Sequence, residues 1–267
     1  MKVLKFGGTS VANSKSLSSV LNIVQKQKGP IAVVVSALGG ITDLLLKMLS
    51  LAQSGKDCYK DNLAVIEKRH LEIIRNCVPI QNQSAIISFL KKHLNELETR
   101  LDAVRVLEEA TTKNNATISS YGEILASNII QEIFRFNNLD SVLKDSRELI
   151  KTVSHNGSEV VDLELSQNLI QNFFKKNKSN LVLLPGFISS NSSGETTTLG
   201  RGGSDYSAAL IANASESEVL EIWTDVSGMF TAHPKIVSQA KPIEKLSFYE
   251  AMELSHFGAK VIFPPTL

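Results

Sequence analysis

An α/β fold with a mostly parallel central sheet is predicted by three observations on this 267-residue chain. Short apolar runs rich in β-branched residues recur at both ends of the sequence. Stretches with apolar residues at helical spacing separate them. Glycine-rich corners follow several of the runs. Strands joined by crossover helices pair in parallel and are covered on both faces, so three layers are expected, helices on either side of one sheet.

In chain order, Lys2–Phe6 reads as a strand and Ser14–Gln27 as an amphipathic helix. Pro30–Val35 is a buried strand, its three consecutive valines stiff at χ1 and suited to a pleated surface. Ile41–Ala52 is helical. From Tyr59 to about Thr112 the chain is polar with long-period apolar positions, which predicts a helical insertion inside the domain, because strand patterns resume afterwards. Thr117–Asn137 is the next helix, entered through SSYGE. Leu181–Leu184 is a fully apolar strand stopped by Pro185-Gly186, and Asn191–Thr198 reads as a hairpin or mobile loop. A helix follows Ser204-Asp205, with Ser204 as its N-cap. Ser217–Thr224 is a strand, Phe248–His256 a helix and Lys260–Phe263 a last short strand.

Composition narrows the function classes. Hydrophobic residues make up 43% and charged residues 21%, ordinary for a globular domain, and the net charge of +1 gives no field that would favour nucleic acid or an acidic membrane. No apolar run is long enough to span a bilayer, and the N-terminus lacks the pattern of a signal peptide. Cys58 and Cys77 match no zinc spacing and read as reduced thiols in a cytoplasmic protein. The histidines (70, 93, 155, 233 and 256) are scattered, so no metal site is expected from them. The chain has no G-x-x-x-x-G-K-[ST] loop, no G-x-G-x-x-G after a strand and no H-R-D or D-F-G pair.

Four corners fall where ligands of open α/β sheets bind, beyond the carboxyl ends of strands. KFGGTS places Lys5, Gly7 and Gly8 after the first strand, where an ammonium and close backbone approach suit a phosphate. SALGGIT repeats the construction with Ser36 and Thr42. In SSYGE, Glu123 is read as lying in the opening turns of a helix, either complementing the helix dipole or facing a substrate ammonium. TTTLGRGGSDY sets Arg201, a bidentate fork for a carboxylate, and Asp205 around the start of a helix, whose free N–H groups suit an anion.

These motifs, with WTDVSG at 223–228 and HFGAKV at 256–261, resemble aspartate kinase, a branch of the amino-acid kinase superfamily, in the family's order and over essentially the whole chain. The resemblance implies the amino-acid kinase fold over residues 1–267. Its N-terminal part would mainly bind the amino acid, and the part from about residue 200 mainly the nucleotide. It implies ATP-dependent phosphorylation of the β-carboxylate of L-aspartate, the first step towards lysine, threonine and methionine, with ATP and Mg²⁺ as cofactors. A sister amino-acid or carbamate kinase and a non-catalytic sensing module are the alternatives. Residue by residue, Lys5 and Asp205 would be catalytic. Thr42, Glu123, Arg201 and Ser204 would hold aspartate. Lys5, Gly7, Gly8, Ser36, Thr224, Asp225, Phe230, Lys235 and Lys260 would serve the nucleotide. The resemblance also admits a homodimer. Phe230, His233 and Lys235 depart from the family pattern: Phe230 lacks a hydroxyl, and Lys235 lacks the planar fork of arginine. The chain ends where the kinase domain would end, as a fragment or as a stand-alone kinase, and inhibition by lysine or threonine is not expected.

Overall fold

A computed structural model describes residues 1–232, 236–256 and 266. Lys235, Lys260, His233 and the strand expected at Lys260–Phe263 lie outside the described residues. The main sheet has five strands in the order β3-β6-β2-β1-β9, all parallel. They are β1 (Lys2–Phe6), β2 (Ile31–Val35), β3 (Val142–Leu143), β6 (Leu181–Pro185) and β9 (Val219–Trp223). β1, β2 and β6 are buried almost throughout, as continuous apolar runs in a parallel sheet must be.

Side chains alternate between two cores. Leu4, Phe6, Val33, Val35 and Leu183 pack under α1 (Ser14–Gln25), α2 (Ile41–Gln53), α3 (Tyr59–Cys77), α4 (Gln83–Leu107) and α5 (Thr112–Phe136). Val3, Ala32, Val34, Val182 and Leu184 pack on the other face against α6 (Leu163–Lys176) and α7 (Gly203–Ala214). The three expected layers are therefore present. Each fully buried Leu, Val or Phe contributes about 1.5–3 kcal/mol, so the β1–β2–β6 triplet anchors both layers.

A second, four-stranded sheet was not expected from the sequence. Its order is β5-β4-β7-β8, built from β4 (Lys151–His155), β5 (Ser158–Val161), β7 (Ile188–Asn191) and β8 (Thr196–Thr198). The β7–β8 pair is an antiparallel hairpin over the segment read as a hairpin or loop. A further helix, α8, spans Phe248–His256. No helix among the described residues is long and apolar enough to cross a membrane.

Register sets the site. Phe6 stands opposite Val35 on one side and Trp223 on the other, and Val35 stands opposite Pro185. The carboxyl ends of β9, β1, β2 and β6 therefore finish on one line. The next residues, Thr224, Gly7, Ser36 and Gly186, form a continuous rim, which is where open α/β sheets place ligands.

Candidate active site

The rim is stitched by backbone bonds that continue the ladder. Gly7 donates its N–H to the Trp223 carbonyl (3.1 Å), Ser36 to Phe6 (3.2 Å), and Gly186 to Val35 (2.8 Å). Gly39 donates to the Gly8 carbonyl at 2.9 Å, tying the first glycine corner to the second. Gly8 is required there, since a Cβ would stand 2.9 Å from the Ala37 carbonyl oxygen and 3.1 Å from the Gly39 Cα. Because the Gly7 N–H is already taken, Gly7 offers a ligand space and not a donor.

Beyond this rim lies a cleft of about 670 Å³. It brings together Lys5, Gly8, Ser36, Thr42, Glu123, Arg201, Ser204 and Asp205, from corners scattered over the whole chain. At its centre the Lys5 Nζ lies 2.6 Å from Asp205 Oδ1, both side chains nearly buried. Removing one partner of such a pair leaves an uncompensated charge and costs about 3–5 kcal/mol, so the pair fixes the lysine head and the start of α7 relative to each other.

Glu123 is 3% exposed. Its Oε1 accepts the Ala37 N–H at 3.1 Å, while its Oε2 is buried with no hydrogen-bond partner. Burial pushes its carboxyl up to about 8, only partly opposed by the Ala37 N–H, its own N–H and the Lys5 charge. A buried polar atom left unpaired is costly, and an incoming cation would relieve it. Glu123 does not lie in the opening turns of its helix. α5 begins at Thr112, capped by Thr111, whose hydroxyl accepts the Asn114 N–H (3.1 Å), and Glu123 sits about three turns in. Complementing the helix dipole is thereby ruled out, since that effect fades within the first turn.

The start of α7 also differs from expectation. Its N-cap is Gly202, left-handed at φ 69°, with no side-chain capping bond, and Ser204 stands in the first turn. A left-handed N-cap followed by a small residue brings the helix end close to the Gly186 corner. A Cβ on Gly186 would lie 2.7 Å from Ser204 Cβ. Arg201 is exposed at the cleft mouth. The cleft thus carries cationic groups (Lys5, Arg201 and the α7 N-terminus) beside a carboxyl lacking a counter-ion. That combination suits a zwitterion meeting an anion.

Thr224, Asp225 and Phe230 do not line this cleft. Thr224 is next to Gly7 along the rim, its hydroxyl donating to Asp225 at 3.0 Å, and Phe230 bridges to Pro242. Asn115, Ser119 and Phe187 line the cleft without having been assigned a role. Ser119 opens the SSYGE motif and Phe187 directly follows Pro185-Gly186, but Asn115 carried no signal. Phe187 adopts φ 67°, uncommon for a bulky residue. It is held by its N–H to Ser207 Oγ (3.0 Å) and by its carbonyl accepting the Leu199 N–H (2.9 Å).

The fold places a cleft for a small, charged ligand beyond the strand ends, and the sequence profile described as the amino acid kinase family matches residues 1–267. The chain belongs to the amino acid kinase family. Within it, the chain is 37% identical over 279 aligned positions to the bifunctional aspartokinase/homoserine dehydrogenase of Buchnera aphidicola, covering 100% of this chain and 33% of that one. It is 35% identical to the lysine-sensitive aspartokinase 3 of Escherichia coli, covering 99% of this chain and 58% of the relative. The crystal structure of E. coli aspartokinase III in complex with aspartate and ADP superposes with a TM-score of 0.90 at 33% identity, over 100% of this chain and 58% of that one. The chain thus spans between a third and three-fifths of the length of these relatives.

Proposed function

We propose that this chain transfers the γ-phosphoryl group of ATP to the β-carboxylate of L-aspartate, giving 4-phospho-L-aspartate. The observation that carries the reading is one cleft holding the Lys5–Asp205 ion pair, the unpaired buried oxygen of Glu123 and the Arg201 guanidinium. The likeness to an aspartokinase that binds aspartate and ADP supports it.

The acceptor carboxylate is already ionised at neutral pH, with an ordinary value near 3.9, so no general base is needed. The obstacle is bringing two anions together and stabilising charge spread over the phosphoryl oxygens, which is a matter of positioning and electrostatics. In this account Lys5 neutralises the phosphate, and Asp205 holds the lysine head. Arg201 forks the α-carboxylate, Glu123 takes the α-ammonium, and Thr42 and Ser204 add hydroxyl donors. Gly8 and Ser36 line the phosphate path, with Gly7 leaving room beside the Lys5 Nζ, 3.5 Å from where its Cβ would be. Thr224, Asp225, Phe230, Lys235 and Lys260 serve the nucleotide. Mg²⁺ would enter on the phosphates and keep much of its water shell, as this small cation does. That fits a site where, among the described residues, no three His, Cys, Asp or Glu side chains gather. A reducing cytoplasmic setting suits the free thiols Cys58 and Cys77.

The test is hydroxylamine trapping of the acyl phosphate with ATP and Mg²⁺, run in parallel with aspartate, glutamate, N-acetylglutamate and carbamate. Aspartyl hydroxamate formed far in excess of the others is expected. Turnover of a different acceptor, or of none, would overturn the proposal.

A further inference from the structure

We infer that Gly122 is a positioning residue for the ammonium-binding side of the acceptor cleft: its missing side chain lets α5 close onto the Ala37 corner, so that Glu123 meets the Ala37 N–H. This rests on the proposed role of Glu123.

Gly122 lies deep inside α5, a 25-residue helix, and is buried there. Glycine in a helix interior costs about 0.5–1 kcal/mol relative to alanine, so a glycine kept there points to a packing need. The need is visible. A Cβ built on Gly122 would stand 2.7 Å from the Ala37 Cβ, a distance real Cβ atoms essentially never show. The next nearest atoms, Leu45 Cδ1 at 3.5 Å and Ile41 Cγ2 at 3.6 Å, are ordinary contacts. A single methyl–methyl collision therefore stands between the native spacing and an alanine at this position.

The collision is placed where it matters. Ala37 follows Ser36 at the end of β2, and its N–H is the donor to Glu123 Oε1 at 3.1 Å. Gly122 and Glu123 are neighbours on α5, as are the Ala37 methyl and the Ala37 N–H on the corner. Pushing α5 and the corner apart by the several tenths of an ångström that an extra methyl demands stretches that hydrogen bond out of range. Glu123 would then be buried without its donor, and its oxygen would no longer be fixed for a substrate ammonium. Displacements of this order in a supporting shell are enough to loosen a site.

The test is a double-mutant cycle of wild type, Gly122→Ala, Ala37→Gly and the double variant, each assayed for aspartyl hydroxamate and each melted. Gly122→Ala is expected to raise the KM for aspartate by roughly tenfold or more while leaving the KM for ATP within about twofold, since only the acceptor side is disturbed. Removing the Ala37 methyl opens the space the new methyl needs. The double variant should therefore return the aspartate KM to within about threefold of Ala37→Gly, its proper reference, and recover the lost melting temperature. An aspartate KM unchanged in Gly122→Ala, equal losses for both substrates, or no rescue by Ala37→Gly would each overturn the inference. A wild type inactive on aspartate would instead overturn the proposed function. The melting cycle would still report whether the two methyls collide.

Discussion

The two halves of the cleft rim are built differently. On the half proposed to receive the acceptor and the transferred phosphate, Lys5, Glu123 and Ser204 are each no more than 9% exposed, locked by an ion pair, a backbone hydrogen bond and close glycine contacts. On the other half, β9 ends at Trp223, 38% exposed, and Asp225 beyond it is exposed. The same sheet edge thus carries a pre-packed pocket and an open shelf. On the proposed reading, the difference teaches where selectivity resides: the acceptor's ammonium would be read by Glu123, whose geometry the core enforces, and the donor would be met at the end of β9 by more exposed groups such as Asp225.

The strongest way to break this comparison is at the ion pair. Lys5→Ala should lower kcat by about three orders of magnitude, as loss of a buried electrostatic stabiliser does. It should also lower stability, because Asp205 is left buried and unpaired. Adding Asp205→Asn should restore stability and not kcat. Activity near wild type in Lys5→Ala would remove the lysine from the mechanism.

Behind the acceptor half, fully buried His70 on α3 sharpens the point. Burial holds its imidazole down to about 4, and its Nδ1 lies 2.7 Å from the Ile66 carbonyl. Between about pH 6.5 and 4 the unfolded chain binds the proton more readily than the folded one. The stabilisation is therefore complete above 6.5 and is lost as pH falls through that window, a loss of up to about 3 kcal/mol. Glu123, raised to about 8, contributes with the opposite sign as pH falls from 7 to 4.5, so the His70 contribution is read as a difference. Denaturant melts should show His70→Gln gaining stability relative to wild type as pH falls from about 6.5 to 4, and a constant difference between the two proteins would contradict it.

Next in size, Arg201→Lys should raise the aspartate KM by about tenfold, because a single ammonium cannot reproduce a bidentate fork, with the ATP KM unaffected. The smallest effects are expected on the open shelf. Thr224→Ala and Asp225→Asn should move the ATP KM by a few-fold, about 1 kcal/mol or less for solvent-facing hydrogen bonds, and leave the aspartate KM alone. If the shelf variants changed acceptor choice, the division between the halves would fail.

Much of this was legible in the sequence. The strands β1, β2, β6 and β9 were readable because a parallel strand buried on both faces writes an apolar run. The glycine corners were readable because little else needs Gly-Gly after a strand. The second sheet was not legible: KTVSH and SEVV are half-polar and four or five residues long, and their pairing is decided by tertiary contact. α6 is not among the elements expected from the sequence, although its apolar residues fall at helical spacing. The helix carrying Glu123 begins at Thr112, before the expected Thr117; its first turns are rich in Thr, Asn and Ser, which favour caps and turns and mask the helical pattern. Motif order gathered Lys5, Glu123, Arg201 and Asp205 into one site, but not the unpaired Glu123 oxygen, which only the packed backbone creates.

Calorimetry of aspartate binding, in the presence of ADP and Mg²⁺, tests the central claim most directly. At pH 7 the Glu123 carboxyl, raised to about 8, is largely protonated in the free protein and must ionise to pair with the substrate ammonium. Titrations in two buffers of different ionisation enthalpy should therefore report release of close to one proton per aspartate bound, abolished in Glu123→Gln. Binding at pH 7 with no proton released, or the same release from Glu123→Gln, would contradict the account.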